Sequence, residues 1–124
     1  MQKGISILAM VLVLASMTLF VTPAEANNYG AIAYSQSTGA SGRSWDYRSR
    51  AAAERAALNN CYRHAGDCRV IWFRNACGAV AVGNGGGWGS AWGNTRRQAQ
   101  NAAIRSCRRY TSGCRVRVWQ CTSR

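Results

Sequence analysis

Negative charge is scarce in this chain of 124 residues: four acidic side chains, Glu25, Asp46, Glu54 and Asp67, stand against sixteen basic ones. Histidine occurs once, at His64, and lysine once, at Lys3; every other cation is an arginine. Each shortage excludes something. One histidine and the lack of any C-x-x-C pair argue against a zinc site, although six cysteines are present. So few carboxylates leave Asp46 and Glu54 as the only acid/base pair to consider. Neither an H-E-x-x-H motif nor a nucleophile elbow occurs. The run Gly83-Asn84-Gly85-Gly86-Gly87 lacks the lysine of a P-loop and the spacing of a dinucleotide fingerprint, so it reads as a hairpin turn.

The N-terminal segment reads as an export signal. Lys3 supplies a positive start, Ile5 to Val21 is an apolar stretch, and Pro23-Ala24-Glu25-Ala26 places small residues where a signal peptidase cuts. The expectation is a signal peptide over residues 1–26 and one domain over 27–124. Ile5–Val21 is at the short limit for crossing a bilayer, so cleavage is favoured over a retained anchor, leaving no stable membrane span. No cysteine sits at the cut, which argues against a lipoprotein. All the cysteines follow the signal, in an even number, and this predicts three disulfides in an oxidising compartment, periplasmic or extracellular.

The net charge of +12 survives the removal of Lys3 and Glu25. Such a field attracts polyanions, and arginine forks suit bidentate contact with phosphate or carboxylate. Solubility alone is the plainer reading of the same surplus.

The chain also says nearly the same thing twice. Gly30-Ala31-Ile32-Ala33 returns as Gly78-Ala79-Val80-Ala81, and Gly42-Arg43-Ser44-Trp45 as Gly89-Ser90-Ala91-Trp92. Cys61 and Cys68 return as Cys107 and Cys114, Arg69-Val70-Ile71-Trp72 as Arg115-Val116-Arg117-Val118-Trp119, and the units close on Cys77 and Cys121. The units run from about 29 to 77 and from 78 to 121. Each begins with a short apolar strand, a Gly/Ser-rich turn and a returning strand that carries Trp45 or Trp92.

A helix follows in each unit, with Ser49 or Thr95 as N-cap and Gln98 completing a capping box with Thr95. Ala53, Ala56, Ala57 and Cys61 share one helical face, repeated by Ala99, Ala102, Ala103 and Cys107. Alanine there predicts close contact with a sheet. Gly66 and Gly113 are read as the residues that end the helices. An alternating strand closes each unit, with Val116 and Val118 on one face and Arg115, Arg117 and Trp119 on the other. The fold class is therefore α+β: two pseudo-symmetric β-β-α-β repeats, antiparallel sheets joined or facing, two helices covering one side, stapled by disulfides. The pairing that respects the repeat is Cys61–Cys68, Cys107–Cys114, and Cys77–Cys121 joining the unit ends. A swap between units such as Cys61–Cys107 is its rival.

Taken together, Gly30-Ala31-Ile32-Ala33-Tyr34-Ser35, Ser44-Trp45, the alanine-rich helix ending in Cys61, Gly66-Asp67-Cys68-Arg69-Val70 and Asn75-Ala76-Cys77-Gly78-Ala79-Val80-Ala81 resemble the bacterial domain-of-unknown-function family 4189. The resemblance covers residues 29–121. It implies a small exported bacterial domain and brings no catalytic residue with it.

The remaining constellation is basic. Arg97, Asn101, Arg105 and Arg108 fall on one face of the second helix, and Arg55, Asn59 and Arg63 on the first. Arginines lacking acidic partners at helical spacing repel one another. With Arg117 they form the candidate anion-binding set. Core packing is expected of the tryptophans that recur, Trp45, Trp72, Trp92 and Trp119; Trp88, in one unit only, is the candidate exposed aromatic. His64 reads as a surface residue. Features shared by both units point to fold, and those in one unit, such as His64, Trp88 and the extra arginines, to function. The expected function is an exported, non-enzymatic binding domain without metal or cofactor. Its partner would be a polyanion (an envelope polymer, an anionic lipid headgroup or nucleic acid) or an acidic protein. The alternatives are a secreted effector or toxin with hydrolytic, for instance nuclease, activity, and a protein inhibitor presenting the glycine turn.

Overall fold

The computed structural model describes residues 27–124; the expected signal peptide lies outside the described residues. The order of elements is β1 (Tyr29–Ser35), β2 (Ser41–Tyr47), α1 (Arg50–Tyr62), β3 (Cys68–Arg74), β4 (Cys77–Val82), β5 (Trp88–Gly93), α2 (Arg96–Arg108) and β6 (Arg115–Cys121), with a single 3-10 turn at Asn84–Gly86. The β-β-α-β unit therefore occurs twice. Each unit forms its own three-stranded antiparallel sheet, with order β2-β1-β3 in the first and β5-β4-β6 in the second.

The helices begin where the N-caps predict. The Ser49 side chain accepts from the Ala52 amide, and the Thr95 side chain from the Gln98 amide. Gln98 returns its side-chain oxygen to the amide of Asn94, one residue outside the box the sequence suggests. Arg63 and Arg109 cap the C-termini, so Gly66 and Gly113 belong to the loops beyond and do not end the helices. Gly113 is the one of the two with a left-handed backbone, at φ +67°.

The two sheets face each other and the helices lie outside, giving layers in the order α1, first sheet, second sheet, α2. The helices thus cover opposite outer faces; the expectation that they share one side does not hold. Period-two alternation explains why. On β1, Ala31 and Ala33 pack against Ala53, Ala57 and Cys61, while Ile32 and Tyr34 point to the other sheet. On β4, Ala79 and Ala81 pack against Ala99, Ala103 and Cys107, while Val80 points inward. Both faces of both central strands are apolar, so each sheet needs two covers.

Contact is close at every layer. A Cβ at Gly42 would lie 2.1 Å from the Ala57 carbonyl oxygen, and one at Gly89 2.2 Å from the Cys107 nitrogen, so each helix backbone rests on its sheet. Between the sheets the Phe73 ring fills the centre. A Cβ at Gly30 would stand 2.3 Å from that ring and one at Gly78 2.5 Å from it. Asn75 turns the chain from the first sheet to the second at φ +46°, a left-handed conformation that asparagine tolerates. Its amide donates to the Asn28 carbonyl, and its side-chain oxygen accepts from the Asn28 amide.

The three disulfides are Cys61–Cys68, Cys107–Cys114 and Cys77–Cys121. Two sheets separate α1 from α2, which rules out the swapped pair Cys61–Cys107. Cys77 opens β4 and is the register partner of Cys121, so this bond links neighbouring strands of the second sheet and does not join the two units. The corresponding positions in the first sheet are Tyr29 and Arg74.

Two stability measurements follow. Gly30→Ala and Gly78→Ala should each lower the unfolding free energy by about 1–3 kcal/mol, the usual cost of overpacking, seen as an earlier urea midpoint; unchanged midpoints in both would mean that Phe73 moves aside freely. In the chain-entropy account a disulfide stabilises more as its loop lengthens. Cys77 and Cys121 are 44 residues apart and the other pairs 7. Replacing Cys77 and Cys121 together by alanine should cost about 4 kcal/mol, and either short pair about 2.5; equal losses would show that native contacts outweigh loop closure.

Candidate anion-binding surfaces

The basic residues of the two helices are all exposed, and they fall into two separate groups. Arg55 lies on the outer face of α1 with Arg63 at its C-cap, and Arg97, Arg105 and Arg108 lie on the outer face of α2. The full thickness of the molecule stands between these groups. Arg105 and Arg108 also occupy the last turn of α2, where a cation complements the helix dipole. Arg117 joins neither group. It belongs to β6 and reaches across to the first unit, its guanidinium 3.5 Å from the Gly39 carbonyl oxygen.

The arginines at the first helical positions have a local role. Arg50 stacks over Trp72 at 4.5 Å from the ring centre, and Arg96 over Trp119 at 3.9 Å. A cation at a helix N-terminus opposes the dipole, and the ring face offsets that cost. The same pairing in both units marks it as part of the fold.

Among the described residues, Arg50–Glu54 is the single ion pair. The other described carboxylates serve the chain. Asp46, at φ +59°, accepts from the amide and hydroxyl of Ser123 and pins the C-terminal tail. Asp67 accepts from the Ser35 hydroxyl and the Ser37 amide. These hydrogen bonds from Ser35 and Ser37 hold its carboxyl below the usual aspartate range. Asp46 and Glu54, the candidate acid/base pair, are thus each tied to a separate structural partner. His64 is exposed, beyond the end of α1.

The tryptophans differ from expectation in both directions. Trp88 is half-buried: its ring packs against the core between the sheets and stands 5.7 Å from that of Tyr34. The exposed rings are those of tryptophans that recur, Trp45 at 51 %, Trp92 at 63 % and Trp72 at 39 %. Two constraints put them there. The helix backbones rest on the sheets at Gly42 and Gly89 and Phe73 already occupies the centre between the sheets, so that of the recurring four only Trp119 is half-buried, packed against the layer under α2. The other three are left at the edge strands β2, β3 and β5. Trp72, Phe73, Arg74 and Trp92 line a shallow depression of about 380 Å³ where β3 and β5 face each other. Nothing in the strand pattern distinguishes an edge from a central strand, so this surface was not readable in sequence.

A second feature missed by sequence lies at the turn end of the sandwich. Gln36 in the β1–β2 turn donates to the Gly86 carbonyl in the β4–β5 turn. Clefts flank this contact. One, of about 550 Å³, takes in Tyr34, Thr38, Gly39, Arg115 and Arg117. The other, of about 400 Å³, takes in Arg69, Trp88, Ser106 and Tyr110.

The model of the family described as domain of unknown function (DUF4189) matches residues 29–121. The chain belongs to this family. Among its relatives, protein Rv1269c of Mycobacterium tuberculosis is 54 % identical over 57 residues, which is 46 % of this chain and 44 % of that protein. Rv1813c of the same organism is 47 % identical over 74 residues, 58 % of this chain and 48 % of that protein. The matched stretch thus spans less than half the length of these curated relatives. The NMR structure of Rv1813c superposes with a TM-score of 0.60 at 40 % identity, covering 76 % of this chain and 74 % of that one. At that identity the two proteins share the fold. Among the described residues, no helix is long and apolar enough to cross a membrane.

The tie between Asp67 and the turn gives a pH signature. A carboxylate held below its ordinary value stabilises the fold at neutral pH, and that contribution is lost as pH falls through its folded value. Asp67→Asn should therefore lower the melting temperature at pH 7 and converge with the parent protein towards pH 2. A gap of equal size at both extremes would mean that the Asp67 charge is immaterial to the turn.

Proposed function

We propose that this chain is an exported, non-enzymatic binding domain of the periplasm or the extracellular space, and that its partner is polyanionic. The observation that carries this reading is the imbalance of partners. Fifteen arginines are present in the sequence, and among the described residues one of them has a carboxylate partner. Groups of exposed arginines on α1, on α2 and at the turn end present positive charge in several directions. A surface of that kind suits a long or extended polyanion that wraps or bridges, and long-range attraction would speed its capture. The exposed tryptophans beside Arg43 and Arg74 add flat apolar area on which a sugar, base or lipid interface can rest.

The three disulfides of this chain support an oxidising compartment. The hydrolytic alternative would have to use His64 without a carboxylate at its side, because Asp46, Glu54 and Asp67 are engaged elsewhere. The inhibitor alternative loses its aromatic anchor with the partial burial of Trp88.

Retention on immobilised heparin, used as a generic polyanion, tests the reading. Binding at low salt should weaken steeply as salt rises, because each arginine–anion contact releases a counterion. Replacing Arg97, Arg105 and Arg108 together by alanine should reduce the salt slope by up to about three units. Retention that ignores salt, or no retention at low salt, would sink the proposal.

A further inference from the structure

The two clefts at the turn end occupy equivalent places in the repeat, yet they differ in one respect that points to a ligand. Each is bounded by an arginine that follows the second cysteine of its unit's short disulfide, Arg69 of β3 or Arg115 of β6. Strand β3 pairs with β1 without a break, from Tyr29↔Arg74 to Ser35↔Cys68. Strand β6 carries one residue more than the equivalent run in β3. Its register with β4 shifts between Val80, opposite Val118, and Ala81, opposite Val116, leaving Arg117 without a partner. This is a β-bulge, a device that re-aims a side chain. The bulge places Val116 and Val118 opposite residues on different faces of β4, where the sequence suggested one shared face, and Arg115 and Arg117 both line the cleft.

The surroundings complete a receptor for an anion. Tyr34 is buried beneath the cleft; burial raises the pKa of its phenol, and the positive Arg117 opposes that rise. The turn residues Thr38 and Gly39 form the opposite wall. That turn is fixed from behind: the Ser35 hydroxyl accepts from the Thr38 amide and hydroxyl and itself donates to Asp67. The cleft therefore has two guanidinium forks, a phenol and a braced turn, and no carboxylate in its lining.

We propose that this cleft binds a phosphate monoester group, held between the guanidinium groups of Arg115 and Arg117. Two forks suit a group with a charge near −2 and three free oxygens. A diester, with one charge and two free oxygens, leaves one fork underused. The cleft beside Arg69 has the single arginine and no bulge, and serves as an internal control. This proposal deepens the polyanion reading by naming a ligand group, but it uses residues apart from the helix arginines and can be judged separately.

The test is a titration of the full-length oxidised protein with inorganic phosphate, glycerol phosphate and dimethyl phosphate, followed residue by residue in amide NMR spectra. Phosphate and glycerol phosphate should give saturable shifts in residues 36–39 and 115–117, with dimethyl phosphate about tenfold weaker, in keeping with the loss of one charge-assisted hydrogen bond. Arg117→Ala should weaken phosphate about tenfold or more on the same grounds. Replacing Arg97, Arg105 and Arg108 by alanine should leave it unchanged. Arg117 is exposed, so its variant is expected to fold, and unshifted spectra elsewhere check this. Shifts spread over α1 and α2, equal affinity for the diester, or an Arg117→Ala variant that binds as before would overturn the proposal.

Vesicles carrying phosphatidic acid separate two sources of the group. Capture that Arg117→Ala abolishes assigns a membrane headgroup, and saturation by glycerol phosphate without capture assigns a soluble ester. Heparin retention with no phosphate site would leave the polyanion reading standing alone; a phosphate site without heparin retention would do the reverse.

Discussion

The Phe73 ring, seated over Gly30 on one sheet and Gly78 on the other, is the contact on which the rest of the structure depends. These glycines hold the same place in the two repeats, and their bare backbones admit one aromatic ring between two central strands. Around it Ile32, Tyr34, Val80 and Val118 close the space between the sheets. The remaining side chains in these layers are small. The helices meet the sheets through alanine, cysteine and glycine, and backbone approaches backbone. Little volume is buried per residue, so the three disulfides supply part of the stability that a larger core would provide.

That same closeness arranges the surface. Helix backbone resting on the sheets and Phe73 at the centre leave Trp45, Trp72 and Trp92 at the edges of the sheets. Facing sheets send the helices to opposite sides and divide their arginines into two fields. At the turn end residues from both units meet around polar side chains, with Gln36 and Gly86 joined across it. Arg117 reaches it from β6, at a bulge that β3 lacks.

The internal repeat made much of the fold legible in sequence. The alanine faces, the N-caps at Ser49 and Thr95 and the pairing of the cysteines each recur at fixed spacing, so each copy checks the other. The repeat was less useful for sorting fold from function. Of the shared tryptophans, Trp45, Trp72 and Trp92 proved exposed and Trp119 half-buried, while the unshared Trp88 proved half-buried too, because exposure depends on what packs opposite. Of the unshared features, Arg117 gained most from the structure. In sequence it looks like one more arginine in an alternating strand, and its displacement by a bulge depends on pairing with residues more than thirty positions earlier, beyond the reach of local periodicity.

Composition and periodicity alone determined the unit β-β-α-β, its duplication and its strong positive charge, because these follow from spacing along the chain and from counting, while the choice among cysteine pairings waited for the fold. Only the tertiary structure decided that the sheets face each other with a helix on either side, and which arginines share a surface. Those outcomes rest on volumes: one phenyl ring fits over two glycines, and helices fit where every contacting side chain is small. Such fits arise between residues far apart in the chain, and no local pattern records them.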